Sequence, residues 1–222
     1  MIKVVSVLQR KVDMSVEDFQ RYWLHEHAAI VTRLPGLRRY VQSHTLLSGY
    51  RKGTPAADGI AELWFDDSAA LRALADSPQL KTVLVDEPNF VDMKRFLQLY
   101  TQEHVIKNGP IPPAGVKNIE FVKKKADMSV AAFQRHWIAT HGPLGASIKT
   151  VIRYVQSHTR STAYGRDAPP ALDGFALTWF ENTDAMRESA RSPEYQHTRD
   201  DEENFLTMPL DFIITREHVI VG

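Results

Sequence analysis

The chain has 222 residues, with 27 lysines and arginines balanced by 27 aspartates and glutamates, and no cysteine. Zero formal charge with no long basic or acidic block gives no reason to expect nucleic acid or an anionic membrane as partner. The lack of cysteine excludes disulfides, thiolate metal ligands and a cysteine nucleophile.

In chain order, residues 4–9 are rich in β-branched side chains and predict a first strand. Ser15 then caps a helix whose apolar stripe runs Val16, Phe19, Trp23, His27, Ile30, Leu34 at three- and four-residue spacing. Strands are expected over residues 37–46 and 60–65. A helical region over residues 68–90 follows, broken by Pro78, and a last strand over residues 96–106. Residues 108–115, Asn-Gly-Pro-Ile-Pro-Pro-Ala-Gly, resist both helix and strand.

Beyond that linker the same order returns. Asp13-Met14-Ser15-Val16 reappears as Asp127-Met128-Ser129-Val130, an offset of 114 residues (127 − 13), and Arg39 to Thr45 as Arg153 to Thr159. The offset is 115 (173 − 58) from Asp58-Gly59 to Asp173-Gly174, and returns to 114 (217 − 103) at the repeated Glu-His-Val-Ile. Strands are expected again over residues 119–122 and 212–220, and a helical region over residues 183–205 broken by Pro193. The expected organisation is repeat 1 over residues 1–108, a linker over 109–115 and repeat 2 over 116–222. Each repeat reads βαββαβ, the ferredoxin-like unit of an α+β fold. Such a unit leaves one sheet face uncovered, so the two repeats are expected to cover each other as an intramolecular dimeric α/β barrel. Outer faces would then be left for a homodimer. No apolar run approaches the ~18 residues of a membrane span, and residues 1–8 are too short for a signal peptide. The cytoplasm is therefore expected.

Phe19-Gln20-Arg21-Tyr22-Trp23 with His27, and Phe133-Gln134-Arg135-His136-Trp137 with His141-Gly142-Pro143-Leu144, resemble the signature of EthD-like proteins. The Arg-Tyr-Val-Gln-Ser-His strand strengthens the likeness, which covers nearly the whole chain as two tandem domains. The resemblance implies the dimeric α+β barrel superfamily. One lactone isomerase of that family places its active site on a histidine of this motif and a tyrosine of the next strand. Tyr40 and Tyr154 each follow their histidine by thirteen residues (40 − 27 and 154 − 141). That isomerase is also thought to use a cysteine, which this chain lacks, so its particular reaction does not carry over.

The candidate catalytic residues are thus His141 and Tyr154, with His27 and Tyr40. Only repeat 2 has Gly-Pro after its histidine, which predicts a helix end there and carbonyls that favour a protonated imidazole. Repeat 2 is expected to hold the working site, and His27 to be structural. Strand alternation puts Tyr40, Gln42 and His44 on one face, and Tyr154, Gln156 and His158 on its counterpart. Between facing sheets they would bind a polar ligand, with Trp64 and Trp179 as an apolar wall. The remaining pair, His104 and His218, reads as packing, and His25, His136 and His197 as surface. His25-Glu26-His27 is no metal motif, because helical residues two apart diverge. Loops 48–58 and 161–173 are candidate lids with Tyr50 and Tyr164 at matched positions.

No phosphate loop, dinucleotide fingerprint, nucleophile elbow or carboxylate pair is present, so no cofactor and no metal is assigned. The simplest chemistry is cofactor-independent acid/base catalysis, of isomerase, lyase or oxygenase type. Its substrate would be a small aromatic, lactone or carbonyl compound, activated by a histidine and oriented by a tyrosine. Two alternatives stand beside it: haem or metal binding through histidine, marked by a Soret band or bound metal, and a non-catalytic ligand-binding accessory protein, marked by retention without turnover.

Overall fold

The computed structural model describes residues 1–165 and 169–222. It is an α+β fold with eight strands among the described residues. The chain separates into two compact units. The first spans Met1–Tyr100 with Arg216–Gly222, and the second spans Thr101–Thr215.

In the first unit β1 (Ile2–Leu8) leads to α1 (Val16–Tyr22), a π-helical turn (Trp23–His27) and α2 (Ala28–Val31). β2 (Leu37–Thr45) and β3 (Gly59–Phe65) follow, then α3 (Ser68–Ala75), α4 (Pro78–Asp86) and the start of β4 (Leu97–Lys107). Ser15 caps α1 by accepting from the Asp18 amide, and Ser77 caps α4 from the Leu80 amide. Pro78 sits at the first position of α4, where its missing N–H is no loss. The helical region therefore splits where the proline predicted.

β3 pairs antiparallel with both β1 and β2. Paired residues share a face, so Tyr40 opposite Leu63 lies on one side and Arg39 opposite Trp64 on the other. Val4, Leu8, Tyr40, Ala61 and Phe65 face the helices and form the core with Phe19, Trp23, Val31, Leu74, Val83 and Phe90. Burying each large apolar side chain contributes about 1.5–3 kcal/mol. Lys3, Glu62 and Trp64 share the opposite face, where Lys3 pairs with Glu62 at 2.5 Å and lies over the Trp64 ring.

The repeated Asp-Gly is explained by this packing. A Cβ at Gly59 would stand 2.3 Å from the Trp23 ring, and one at Gly174 would stand 2.8 Å from Trp137. Asp58 accepts from the Arg10 backbone amide, the Arg10 guanidinium and the Tyr50 hydroxyl, pinning strand ends and loop together.

The second unit repeats the plan. β5 (Val116–Val122), α5 (Val130–His136), a π-helical turn (Trp137–His141), α6 (Gly142–Ser147) and β6 (Arg153–Thr159) are followed by β7 (Gly174–Phe180). α7 (Thr183–Ser189), α8 (Pro193–Phe205) and β8 (Asp211–Val221) complete it. β7 pairs with β5 and β6, while β6 also takes the end of β4 and β5 takes the start of β8. Phe133, Trp137, Tyr154 and Phe205 are fully buried. No helix among the described residues is long and apolar enough to cross a membrane.

Candidate functional site

The first unit holds a cavity of about 220 Å³ between the helix-facing side of its sheet and the π-helical turn, α2, α3 and α4. Its walls are mostly aliphatic and aromatic, including Val4, Leu8, Leu34, Leu63, Leu74, Val83 and Phe90. No lysine or arginine lines it among the described residues; its polar groups include His27, Tyr40, Glu87, Ser6 and Gln98. Leu84 and Tyr100, both substantially exposed, line it toward solvent.

His27 closes the π-helical turn and is 5 % exposed. Its Nδ1 lies 2.8 Å from Asp86 Oδ2, and Asp86 Oδ1 also accepts from the Tyr22 hydroxyl at 2.6 Å and from Asn89 at 3.1 Å. Burial opposes ionisation of Asp86, but the bonds from Tyr22, His27 and Asn89 outweigh it and lower its pKa. An ionised Asp86 only accepts, so His27 donates from Nδ1 and carries its lone pair on Nε2. Nε2 has no hydrogen-bond partner among the described residues. Burial also depresses the His27 pKa against the pull of Asp86, so the ring is neutral at pH 7.

Tyr40 is held with its proton to spare. Its hydroxyl oxygen accepts from Trp23 Nε1 at 3.2 Å and from Gln42 Nε2 at 2.7 Å. Gln42 Nε2 also donates to the Trp23 carbonyl at 2.8 Å, while Gln42 Oε1 accepts from His44 Nε2 at 2.9 Å. With its oxygen occupied by two donors, the phenolic O–H is left to donate to a ligand. Burial raises the Tyr40 pKa, so it acts as a donor and not as a phenolate. The π-helical turn serves this arrangement: the Trp23 carbonyl accepts from the Ala28 amide one residue further along than in an α-helix, and from Gln42 as well.

Glu87 follows Asp86 directly and is 9 % exposed. Its Oε2 is buried without a partner among the described residues. Burial, reinforced by the Asp86 charge, pushes its pKa up to about 7.

The structure departs from the sequence pattern at several of these residues. Tyr40, Gln42 and His44 do not face away from their own helix. They pack against it, with His44 stacked on Trp23 at 4.4 Å, because Gln42 satisfies the Trp23 carbonyl. Tyr154, Gln156 and His158 repeat the arrangement, with His158 on Trp137 at 4.2 Å. Trp64 and Trp179 lie on the opposite sheet face, each under a lysine and an arginine, because they pair with Arg39 and Arg153. His44 and His158 are reached through glutamine and do not line the cavity. Burial lowers both to about 3, so both rings are neutral. His218 and His104 pack against them at 4.6 Å.

The helix does not end at His141. Both repeats pass through the same π-helical turn, and α6 resumes with Pro143 in its first turn. His141 is also not favoured as a cation; burial lowers it to about 4. His136 is no free surface residue, since it shares Asp201 with His141. His25 and His197 are exposed as expected. No residue of loop 48–58 lines the cavity, because Tyr50 turns inward to Asp58; Tyr164 does the same to Asp173. Residues 166–168 of the other loop lie outside the described residues.

The second unit lacks this apolar lining. Ser6, Leu63, Leu74 and Leu84 correspond to Glu120, Thr178, Ser189 and Arg199. Arg199 reaches Glu202 at 3.0 Å and Glu120 at 3.6 Å, filling this region with charge. Burial and the neighbouring Glu120 raise Glu202 to about 8.

A porphyrin does not fit the first cavity, whose volume is below the ~300–1,000 Å³ of ordinary drug-sized sites. No group of three histidine or acidic side chains able to hold a metal ion occurs among the described residues.

The EthD domain model matches residues 11–94 and 125–209. The chain belongs to the EthD domain family. The two matches enclose Trp23, His27, Tyr40 and Glu87 in one EthD repeat and their counterparts in the other. No curated protein matches the chain in sequence. Solved structures resembling it include an anthrone oxidase-like protein, with TM-score 0.65 and 9 % identity over 100 % of this chain and 94 % of that one. A candidate monooxygenase from Lactobacillus acidophilus NCFM gives 0.59 and 11 % over 98 % and 94 %. A candidate chlorite dismutase gives 0.55 and 9 % over 98 % and 94 %. At such identities the likeness shows the fold alone.

Proposed function

We propose that the first EthD repeat is a cofactor-independent enzyme site that moves protons on a small, uncharged carbonyl compound. The observation that carries this reading is the aliphatic cavity lined by a neutral His27 whose Nδ1 is anchored to Asp86 and whose Nε2 has no hydrogen-bond partner among the described residues. A ligand carbonyl oxygen accepts the Tyr40 proton, which places its α-carbon hydrogen within the reach of His27. The C–H bond breaks, an N–H bond forms, and the electron pair moves to the carbonyl oxygen as an enolate held by Tyr40. Asp86 stabilises the imidazolium, and the low dielectric strengthens both interactions. The aliphatic walls supply affinity, and the absence of a lining cation disfavours carboxylates.

This reading assigns the working role to His27 and Tyr40, reversing the preference for His141 and Tyr154 drawn from Gly142-Pro143. The second repeat keeps the same histidine–aspartate and tyrosine–glutamine bonds, yet Arg199 and its carboxylates fill the corresponding region. We infer a duplicated ferredoxin-like unit in which one copy kept its cavity.

The test is deuterium uptake at the α-carbons of 2-tetralone and 2-indanone in D₂O, followed by proton NMR. Exchange above buffer that is lost in His27→Gln and retained in His141→Gln supports the reading. Exchange unaffected by His27→Gln, or none with either ketone bound, overturns it.

A further inference from the structure

We propose that Glu87 is a second proton carrier, so that the site catalyses a 1,3-proton shift and not α-proton exchange alone. This inference rests on the proposed role of His27 and goes beyond it, by naming an allylic ketone isomerisation as the reaction class.

Three observations converge on Glu87. It lines the same cavity as His27 and Tyr40, so a ligand between them meets both a base and a carboxyl group. Its Oε2 is buried with no partner among the described residues, although a buried carboxyl oxygen without one is costly. A ligand atom supplies the missing contact. The second repeat also acts as an internal control. There the equivalent Glu202 also has no hydrogen bond to its buried Oε2 among the described residues, but Arg199 Nη1 lies 3.0 and 2.9 Å from its two carboxylate oxygens, whereas Leu84 occupies the arginine position in the first repeat. Glu87 has therefore been left without a cation while its neighbour Asp86 is tied down by three donors. One carboxylate anchors the base and the other is left able to hold a proton. Burial keeps that proton on below neutral pH.

The step balances without an oxidant. From a β,γ-unsaturated ketone, Nε2 of His27 takes an α-proton and the electrons shift through the dienolate. The Glu87 carboxylic acid gives its proton to the γ-carbon, forming the conjugated ketone. The imidazolium proton then returns to the Glu87 carboxylate, restoring both groups.

The experiment uses 3-cyclohexen-1-one with the full chain, following conjugated enone by ultraviolet absorbance. α-Deuterium uptake from D₂O is measured separately with 2-tetralone. The expected result is that Glu87→Gln lowers isomerisation at least about 100-fold more than it lowers α-exchange, and that Glu87→Asp partly restores isomerisation. Wild-type isomerisation falls above about pH 7 as the carboxyl ionises. Equal loss of both activities in Glu87→Gln would make Glu87 structural and overturn the proposal. Isomerisation unchanged in that variant also overturns it, as does wild-type exchange without isomerisation. A wild type inactive in both assays sinks the underlying reading of His27 and this proposal with it.

Discussion

Replacing Asp86 with asparagine tests whether the carboxylate sets the tautomer of His27. Asp86 accepts from His27, Tyr22 and Asn89. Asparagine has one acceptor oxygen, which suits Tyr22 and Asn89, and turns its amide N–H₂ toward His27. Nδ1 must then accept, and the ring proton moves to Nε2, leaving no lone pair toward the cavity. Each bond also changes from charge-assisted, about 1.5–3 kcal/mol, to neutral, about 0.5–1.5 kcal/mol. Three such changes sum to about 3 kcal/mol, and relief from burying a charge returns part of this. A net loss of about 2 kcal/mol lowers Tm by about 4–8 °C in a chain of this size. Long-range proton–nitrogen NMR with labelled histidine reads the tautomer directly. Wild type should show a bare Nε2 and Asp86→Asn a protonated one, with α-exchange lost. An Nε2 that carries the proton in wild type, or stays bare in the variant, refutes the reasoning.

Glu87→Gln should stabilise the protein at alkaline pH. With folded pKa about 7 against 4.5 unfolded, the native state binds the extra proton between these values, so stability falls as pH rises through that window. The gap corresponds to about 3 kcal/mol. Urea unfolding should therefore show the variant gaining on wild type from pH 4.5 to 7 and holding that lead at pH 8; a difference independent of pH contradicts this. The depressed histidines act oppositely: folded His141 near 4 against 6.5 unfolded loses stability as pH falls below about 6.5. His141→Gln should flatten the acid side of the stability curve, and an unchanged acid side would argue against a neutral His141. Gly59→Ala sets a methyl against Trp23 and the Ser43 carbonyl. A loss of about 1–3 kcal/mol with altered tryptophan fluorescence is expected, and a silent substitution would show that the Trp23 packing yields.

The strand and helix order was legible because duplication printed it twice and because Ser15, Ser77, Pro78 and their counterparts mark helix starts. His27 and Tyr40 were legible together from the motif spacing. Their surroundings were harder to read. Tyr-Gln-His looks like a polar face in want of water, yet its polar atoms are consumed by Trp23 and by one another. Asp86 and Glu87 were missed, although Asp-Glu-x-Asn-Phe recurs at residues 86–90 and 201–205, an offset of 115 (201 − 86). That signal lies near a helix end far along the chain, where acidic residues ordinarily read as solvated. The π-helical turns were invisible, since one extra residue hardly disturbs a three-to-four spacing. Nor could one motif reveal that the apolar lining differs between the repeats. That depends on side-chain volume and charge at scattered positions such as Ser6 against Glu120 and Leu84 against Arg199.

The central claim is that the first EthD repeat binds a small uncharged ketone over His27 and the second does not. Methyl NMR of the labelled protein titrated with 2-tetralone tests it most directly. Shifts are expected at Val4, Leu34, Leu74 and Val83, saturating at one ligand per chain, with Val122 and Ile148, the counterparts of Leu8 and Leu34, unmoved. Shifts centred on Val122 and Ile148, or two ligands per chain, would contradict it.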